Sequence, residues 1–210
     1  MRLFLLSLAS VLAAGTTALH ADSFTPYSNV GHPITTSSPV TYTGANGVGI
    51  TAYFYSVSAS DTDTISVFDA TTGTFLSPQG ALNNKVSVAG TTTVVFDSST
   101  LHTGDTLYFD LYNTSFPGDT FSSNAATSPD GDDHAYITPF SGTIGSFGTI
   151  TGTYVGMEDL PARVSDWDYN DDTFVITSVD SAATPEPSTF ALLGTGLLAA
   201  AGAVRRKFAR

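Results

Sequence analysis

Cysteine is absent from the 210 residues. That excludes disulfides, a thiol nucleophile and any thiolate metal site. Charge is scarce as well: Asp, Glu, Lys and Arg make up 12% of the chain, against roughly a quarter in ordinary soluble domains. Basic residues are almost missing from the middle. Five of them, Arg2, Arg205, Arg206, Lys207 and Arg210, sit at the two ends, and between Asp22 and Ala182 only Lys85 and Arg163 face all the acids but Glu186. Nucleic acid or an anionic lipid surface is excluded as a partner for this part on electrostatic grounds, and cations are expected instead. No G-x-S-x-G, H-E-x-x-H or glycine-rich phosphate loop occurs, which argues against an enzyme. Helical periodicity is also lacking between the ends. The 14 Phe and 9 Tyr still supply a core, so the chain is not a disordered one.

The two ends carry the long apolar runs. Arg2 precedes a run from Leu3 to Ala14 broken only by Ser7 and Ser10, followed by small residues up to Ala21. A charged start, a short apolar stretch and a small-residue exit predict a secretory signal helix over residues 1–21, with cleavage after Ala21 or, as the alternative, after Ala18. The other end reads Pro185-Glu186-Pro187, then an apolar stretch of 15 residues from Phe190 to Val204, then a basic cluster over 205–210 that begins with Arg205 and Arg206. As a helix that stretch spans roughly 22 Å, short of the roughly 30 Å hydrocarbon core. Flanking arginines that snorkel, or local thinning, close the gap. The basic cluster predicts a cytoplasmic end, with everything before it outside.

Pro-Glu-Pro, a short apolar helix and a terminal Arg cluster, in that order, resemble the PEP-CTERM sorting signal of exported proteins from Gram-negative bacteria that make exopolysaccharide. The resemblance covers residues 183–210. It implies that a membrane-embedded exosortase recognises Pro185, Glu186 and Pro187 and removes the tail. The inner membrane is then held only transiently, through a transmembrane helix over 190–204, and the destination is the cell surface or an exopolysaccharide matrix, as in a biofilm.

Residues 22–182 remain as one domain. Short alternating segments recur between turn residues and predict strands at Ile50–Val57, Thr64–Phe68, Thr91–Phe96, Asp105–Tyr112, Ala135–Phe140, Thr143–Ile150, Thr153–Met157 and Thr173–Val179. Ile65 and Val67 share a face, as do Val94 and Phe96, and as do Leu107, Phe109 and Leu111. Turn clusters such as Thr71-Thr72-Gly73, Asn83-Asn84 and Ser128-Pro129-Asp130-Gly131 separate them. About eight such strands predict an all-β, antiparallel β-sandwich of jelly-roll-like design, with a closed barrel as the alternative.

The candidate site is the acidic stretch Glu158-Asp159-Leu160-Pro161 followed by Asp166-Trp167-Asp168-Tyr169-Asn170-Asp171-Asp172. So many carboxylates repel one another unless a cation neutralises them. Hard divalent cations take six to eight oxygens, and Asp166-x-Asp168-x-Asn170 offers three at alternate positions. The stretch opens like an EF-hand loop but departs from it at Asp171, where that loop needs Gly, and at Thr177, where it needs Glu. Calcium is the expected cofactor, held by Glu158, Asp159, Asp166, Asp168, Asn170 and Asp171. A solvated acidic turn is the alternative. The block also resembles the C-terminal signature of a domain of unknown function in exported bacterial proteins, G-[FW]-E-D-L, a short gap, then D-x-D-[FY]-N-D and a hydrophobic strand. That resemblance implies calcium binding. Met157 stands where the pattern has an aromatic residue, and Arg163 lies in the gap, where it softens the acidic charge. His134, after the acidic turn Asp130–Asp133, is expected to be a hydrogen-bonded structural residue. Asp61 and Asp63 are expected to cap a turn apart from the site.

Three functions follow. The leading one is a non-enzymatic, calcium-stabilised surface or matrix protein. A carbohydrate-binding module is the alternative, with Trp167 and the tyrosines as a sugar platform. The third is a glycoside hydrolase using Glu158 and Asp166, which requires one acid with a raised pKa in an apolar pocket.

Overall fold

A computed structural model describes residues 30–96, 99–115 and 119–181. The predicted signal run and sorting tail lie outside these residues. What is described is all-β, in two antiparallel sheets. The first contains β1 (Val40–Tyr42), β3 (Asp63–Asp69), β4 (Thr74–Phe75), β6 (Thr106–Asn113), β7 (Thr120–Ser122) and β11 (Val179–Ser181), in the order β11-β1-β6-β3-β4 with β7 also paired to β6. The second contains β2 (Ile50–Val57), β5 (Thr93–Phe96), β8 (Ala135–Thr143), β9 (Thr149–Met157) and β10 (Asp172–Ile176), in the order β5-β2-β10-β9-β8.

The core lies between the sheets and follows from period-two alternation. Ile65 and Val67 of β3 and Leu107, Phe109 and Leu111 of β6 point inward from the first sheet. Phe54, Phe96, Val155, Phe174 and Ile176 meet them from the second. Phe109 and Phe174 pack edge to face across the gap, with ring centroids 5.4 Å apart. Each fully buried side chain of this size contributes about 1.5–3 kcal/mol.

The second sheet is buried on its outer face too. Phe140, Ile144, Tyr154 and Val175 form a smaller cluster there, against Tyr53, Tyr55 and Phe147. This explains why every residue of β10 is buried. It also corrects the expected strand at Thr143–Ile150. That segment ends β8, makes a single 3-10 turn at Gly145–Phe147 and begins β9. Its Ile144 and Phe147 alternate with glycines because the turn folds them back over the sheet, and periodicity alone does not separate that from a strand.

The predicted Thr173–Val179 strand is likewise two elements. Ser178, at φ 66°, breaks it, and β11 crosses to pair with β1 in the other sheet. The short strands β1, β4 and β7 have too few alternating residues to be read from sequence.

Candidate metal centre

One end of the gap between the sheets is polar. The alternation that buries Ile65 and Val67 also turns Asp63 inward at the start of β3, and Asn113 lies opposite it at the end of β6. In the second sheet, Asp172 begins β10 two residues before the inward Phe174. β9 runs out at Met157, and Glu158 and Asp159 follow over this end. A turn at Pro161, which accepts hydrogen bonds from the N–H groups of Val164 and Ser165 at 2.9 and 3.1 Å, then returns the chain through residues 166–171.

The returning loop is held in an unusual backbone. Trp167 and Tyr169 both have φ 55°, the left-handed region. For residues of this bulk that costs on the order of 1–3 kcal/mol each. Burial of the two rings offsets it, since both are nearly inaccessible. The Tyr169 hydroxyl accepts a hydrogen bond from the Ile34 N–H at 2.9 Å, and the Trp167 carbonyl accepts one from the Gly31 N–H at 2.9 Å. With the odd positions anchored inward, Asp166, Asp168 and Asn170 are left partly or fully exposed on the other side. The Asn170 side-chain amide donates to Asp168. Gly156 is needed here because a Cβ would lie 2.3 Å from the Tyr169 carbonyl oxygen as the loop crosses β9.

His134 fixes the other side. Its ring is fully buried, stacks on Phe121 at 4.4 Å and lies 5.0 Å from Trp167. Nδ1 is 3.2 Å from the Glu158 carbonyl oxygen, and Nε2 is 3.1 Å from both carboxylate oxygens of Asp130. The Glu158 N–H donates to the His134 carbonyl at 3.0 Å. The histidine thus holds the backbone that carries Glu158, a structural role.

The carboxylates converge. Glu158 is 0% exposed; the Ser165 side chain is the one donor that acts on its carboxylate, and neither oxygen has a partner in full hydrogen-bond geometry. One set of potential ligand atoms, from Glu158, Asp159 and Asp171, lies mutually within 4.8 Å; a second, from Glu158, Asp166 and Asp168, does the same. Asp172 is also 0% exposed with both oxygens unpartnered. Asp63 accepts from the Asn84 amide at 2.7 Å through one oxygen, while its other oxygen lacks a partner. Asn113 joins the groups, its amide donating to Asp61 at 2.9 Å and to the Asp159 carbonyl at 3.0 Å.

Crowding of like charge in a buried place makes ionisation hard. Burial, then Asp171, pushes the Glu158 carboxyl up to about 8. Burial, then Asp63, raises Asp159 to about 7. Burial, then Asp159, raises Asp171 to about 7. Burial raises Asp63 to about 6, and raises Asp172 well above the carboxylate range. Among the described residues no Lys or Arg forms an ion pair with a carboxylate. Arg163, expected to soften the cluster, is exposed instead. Lys85 donates to the Ala59 and Ser60 carbonyls at 3.1 and 3.0 Å, and its lowering of Asp63 is outweighed by burial and the neighbouring acids.

Five of the six expected ligands, Glu158, Asp159, Asp166, Asp168 and Asp171, thus fall in these two sets, and Asn170 lies beside Asp168. The expectation that Asp61 and Asp63 belong to a separate turn is corrected. Antiparallel pairing of β3 with β6 carries both to the acidic end, where Asp63 acts directly on Asp159 and Asp172. Asp63 is a site residue that local sequence placed elsewhere, and Asp172, though inside the acidic stretch, was not among the expected ligands. The signal available was Asp63 standing in phase with the apolar face of its strand. An oxygen-rich, cation-poor cluster with unpartnered carboxylate oxygens fits a hard divalent cation.

Residues 183–207 match the PEP-CTERM protein-sorting motif. The chain therefore carries the signal of an exported protein that is anchored transiently in a membrane and processed by an exosortase. No curated protein and no solved structure matches the chain. No helix among the described residues is long and apolar enough to cross a membrane.

Proposed function

We propose that the protein is a non-enzymatic component of the cell surface or exopolysaccharide matrix of a Gram-negative bacterium, and that its domain is a jelly-roll-like β-sandwich stabilised by calcium. One observation carries the calcium reading. Glu158 is fully buried with neither carboxylate oxygen in a full hydrogen bond, inside two sets of acidic oxygens close enough to share an ion. A carboxylate buried without a partner is costly, and a cation removes that cost. Outside the cell, where calcium is plentiful and no disulfide is present, metal supplies stability that the cysteine-free chain lacks otherwise.

The test is thermal melting of the purified protein. Metal bound only to the folded state adds about 2.7 kcal/mol at a hundredfold excess over Kd, which is about 5–10 °C for a domain of this size. The melting temperature is expected to rise with calcium and return on chelation. An unchanged melting curve at millimolar calcium overturns the reading.

Sorting has its own test. The prolines keep Pro185-Glu186-Pro187 extended and free of helix, as a strand-binding protease requires. Glu186→Ala is expected to leave export intact and block removal of the tail, so that the longer precursor stays in the inner-membrane fraction. Peptides spanning Leu192 to Arg206 in extracellular material would mean a permanent anchor.

A carbohydrate-binding reading has one observation in its favour. A groove of about 370 Å³ lies on the outer face of the first sheet, with Phe75 and Tyr112 partly exposed beside Gln79, Asp110 and Thr120. Retention by the polysaccharide matrix that Phe75→Ala abolishes would favour it. The glycoside hydrolase reading draws less support, because Glu158, though raised in pKa as a general acid requires, is closed to a substrate.

A further inference from the structure

We propose that the acidic end holds two cations, an outer ion at Asp166 and Asp168 and an inner ion between the sheets at Asp159 and Asp171, with Glu158 as the carboxylate they share. The proposal rests on the calcium reading above and deepens it.

The first observation is the grouping of the oxygens. Asp159 and Asp171 form one set with Glu158, and Asp166 and Asp168 form another. The sets have Glu158 alone in common. A calcium ion binds oxygens at about 2.3–2.6 Å, so ligands of one ion lie within about 5 Å of each other. Each set meets that limit separately, and a bridging carboxylate serves both ions, one oxygen to each.

The second observation is independent of the loop. Asp172 is fully buried with both oxygens unpartnered, and one oxygen of Asp63 is unpartnered as well. Asp63, Asp171 and Asp159 are the charges that act on Asp172. Asp63 and Asp172 lie on strands, and Asp166 and Asp168 are not among the charges that act on Asp172. An ion held only in the loop leaves them unsatisfied, and buried carboxylates left so are destabilising. An inner ion at Asp159 and Asp171 has Asp63 and Asp172 as its remaining acidic neighbours.

The two ions would act differently. Asp63 belongs to the first sheet, and Asp172 to the second. The inner ion would neutralise acids contributed by both sheets and is expected to control global stability. The outer ion orders residues 166–170 alone. Trp167, the single tryptophan of the chain, sits between Asp166 and Asp168 and reports on it.

The experiment uses the purified full-length chain. Bound calcium is counted by elemental analysis after dialysis, melting is followed with and without calcium, and terbium emission sensitised through Trp167 reads the outer position. Two calcium ions per chain are expected. Asp168→Asn should leave one ion, lose most of the sensitised emission and keep most of the calcium-dependent rise in melting temperature. Asp63→Asn with Asp172→Asn should also leave one ion, but keep the emission and lose most of that rise. The replacements are near isosteric and remove charge from a crowded place, so folding is checked by the metal-free melt. One ion per chain, with emission and melting response lost together by Asp168→Asn and kept by the double variant, overturns the two-ion site while sparing the calcium reading. No bound calcium overturns both.

Discussion

Asp63 and Asp69 are the first and last residues of the same strand, both inward-facing and both fully buried. They live very differently. Asp69 is satisfied by its own turn: one carboxylate oxygen accepts from the N–H groups of Thr71 and Thr72 at 2.8 and 3.3 Å, and the other accepts from the Thr72 hydroxyl at 2.7 Å. At the same end of the domain Asp105 accepts from the His102 N–H at 2.6 Å. Asp63 has one amide donor, one unpartnered oxygen and a ring of further acids. Burial and charge alone therefore do not mark a ligand. A carboxylate closed by local N–H donors is an Asx turn, whereas one with an unpartnered oxygen among other carboxylates is the kind of group that the proposed cation would satisfy.

The comparison breaks most sharply through paired substitutions. Asp69→Ala removes the carboxylate that ties the turn at Thr71 and Thr72 and is expected to cost about 1–3 kcal/mol, by the same amount with and without calcium in denaturant melts. Asp63→Asn removes a repelling charge, so it should leave the metal-free protein as stable or more so, and diminish the gain from added calcium. Equal calcium responses in the two variants would erase the distinction between the two ends.

A pH series tests the same contrast more gently. Glu158, Asp159, Asp171 and Asp63 have folded values of about 8, 7, 7 and 6, all above those of the unfolded chain. The metal-free fold then binds more protons than the unfolded chain, so its stability falls as pH rises from about 4 to about 8. Calcium bound at these carboxylates would have to displace those protons, so its affinity should rise over the same range. A metal-free melting temperature that climbs between pH 5 and 8 contradicts this.

The smallest expected effect is at Asp61. It is partly exposed and reaches the site through the Asn113 amide. Asp61→Ala should reduce the calcium-induced rise in melting temperature by less than Asp63→Asn does, a difference that calorimetry of both variants resolves.

Much of this was legible in the chain. Ile50–Val57 is a strand at the predicted bounds, and the inward faces of β3, β5 and β6 are those that alternation gives. The acidic block was legible because its members are neighbours in sequence and because Asp-x-Asp-x-Asn has a chemical meaning wherever it folds. His134 was legible as structural, though its contacts with Phe121, Trp167 and Glu158 were not. The 3-10 turn at Gly145–Phe147 was misread, because apolar residues beside glycines have the same pattern in a strand and in a turn that covers a sheet.

By itself, then, the sequence determined an exported, cysteine-free, acidic β domain with an oxygen-rich stretch near its C-terminal side, since composition, alternation and short motifs are local properties. Only the tertiary structure decided what that stretch meets. Pairing of β3 with β6 brings Asp63 and Asn113 to the same end, and pairing of β10 with β9 starts with Asp172 beside Met157, the residue before Glu158. Alternation says that Asp63 points inward and is silent on its company, because register between distant strands is set by the whole core. The packed interior excludes water from Glu158 and Asp172 and leaves their oxygens without full hydrogen bonds. Desolvation of that kind belongs to the assembled fold and to no segment of it.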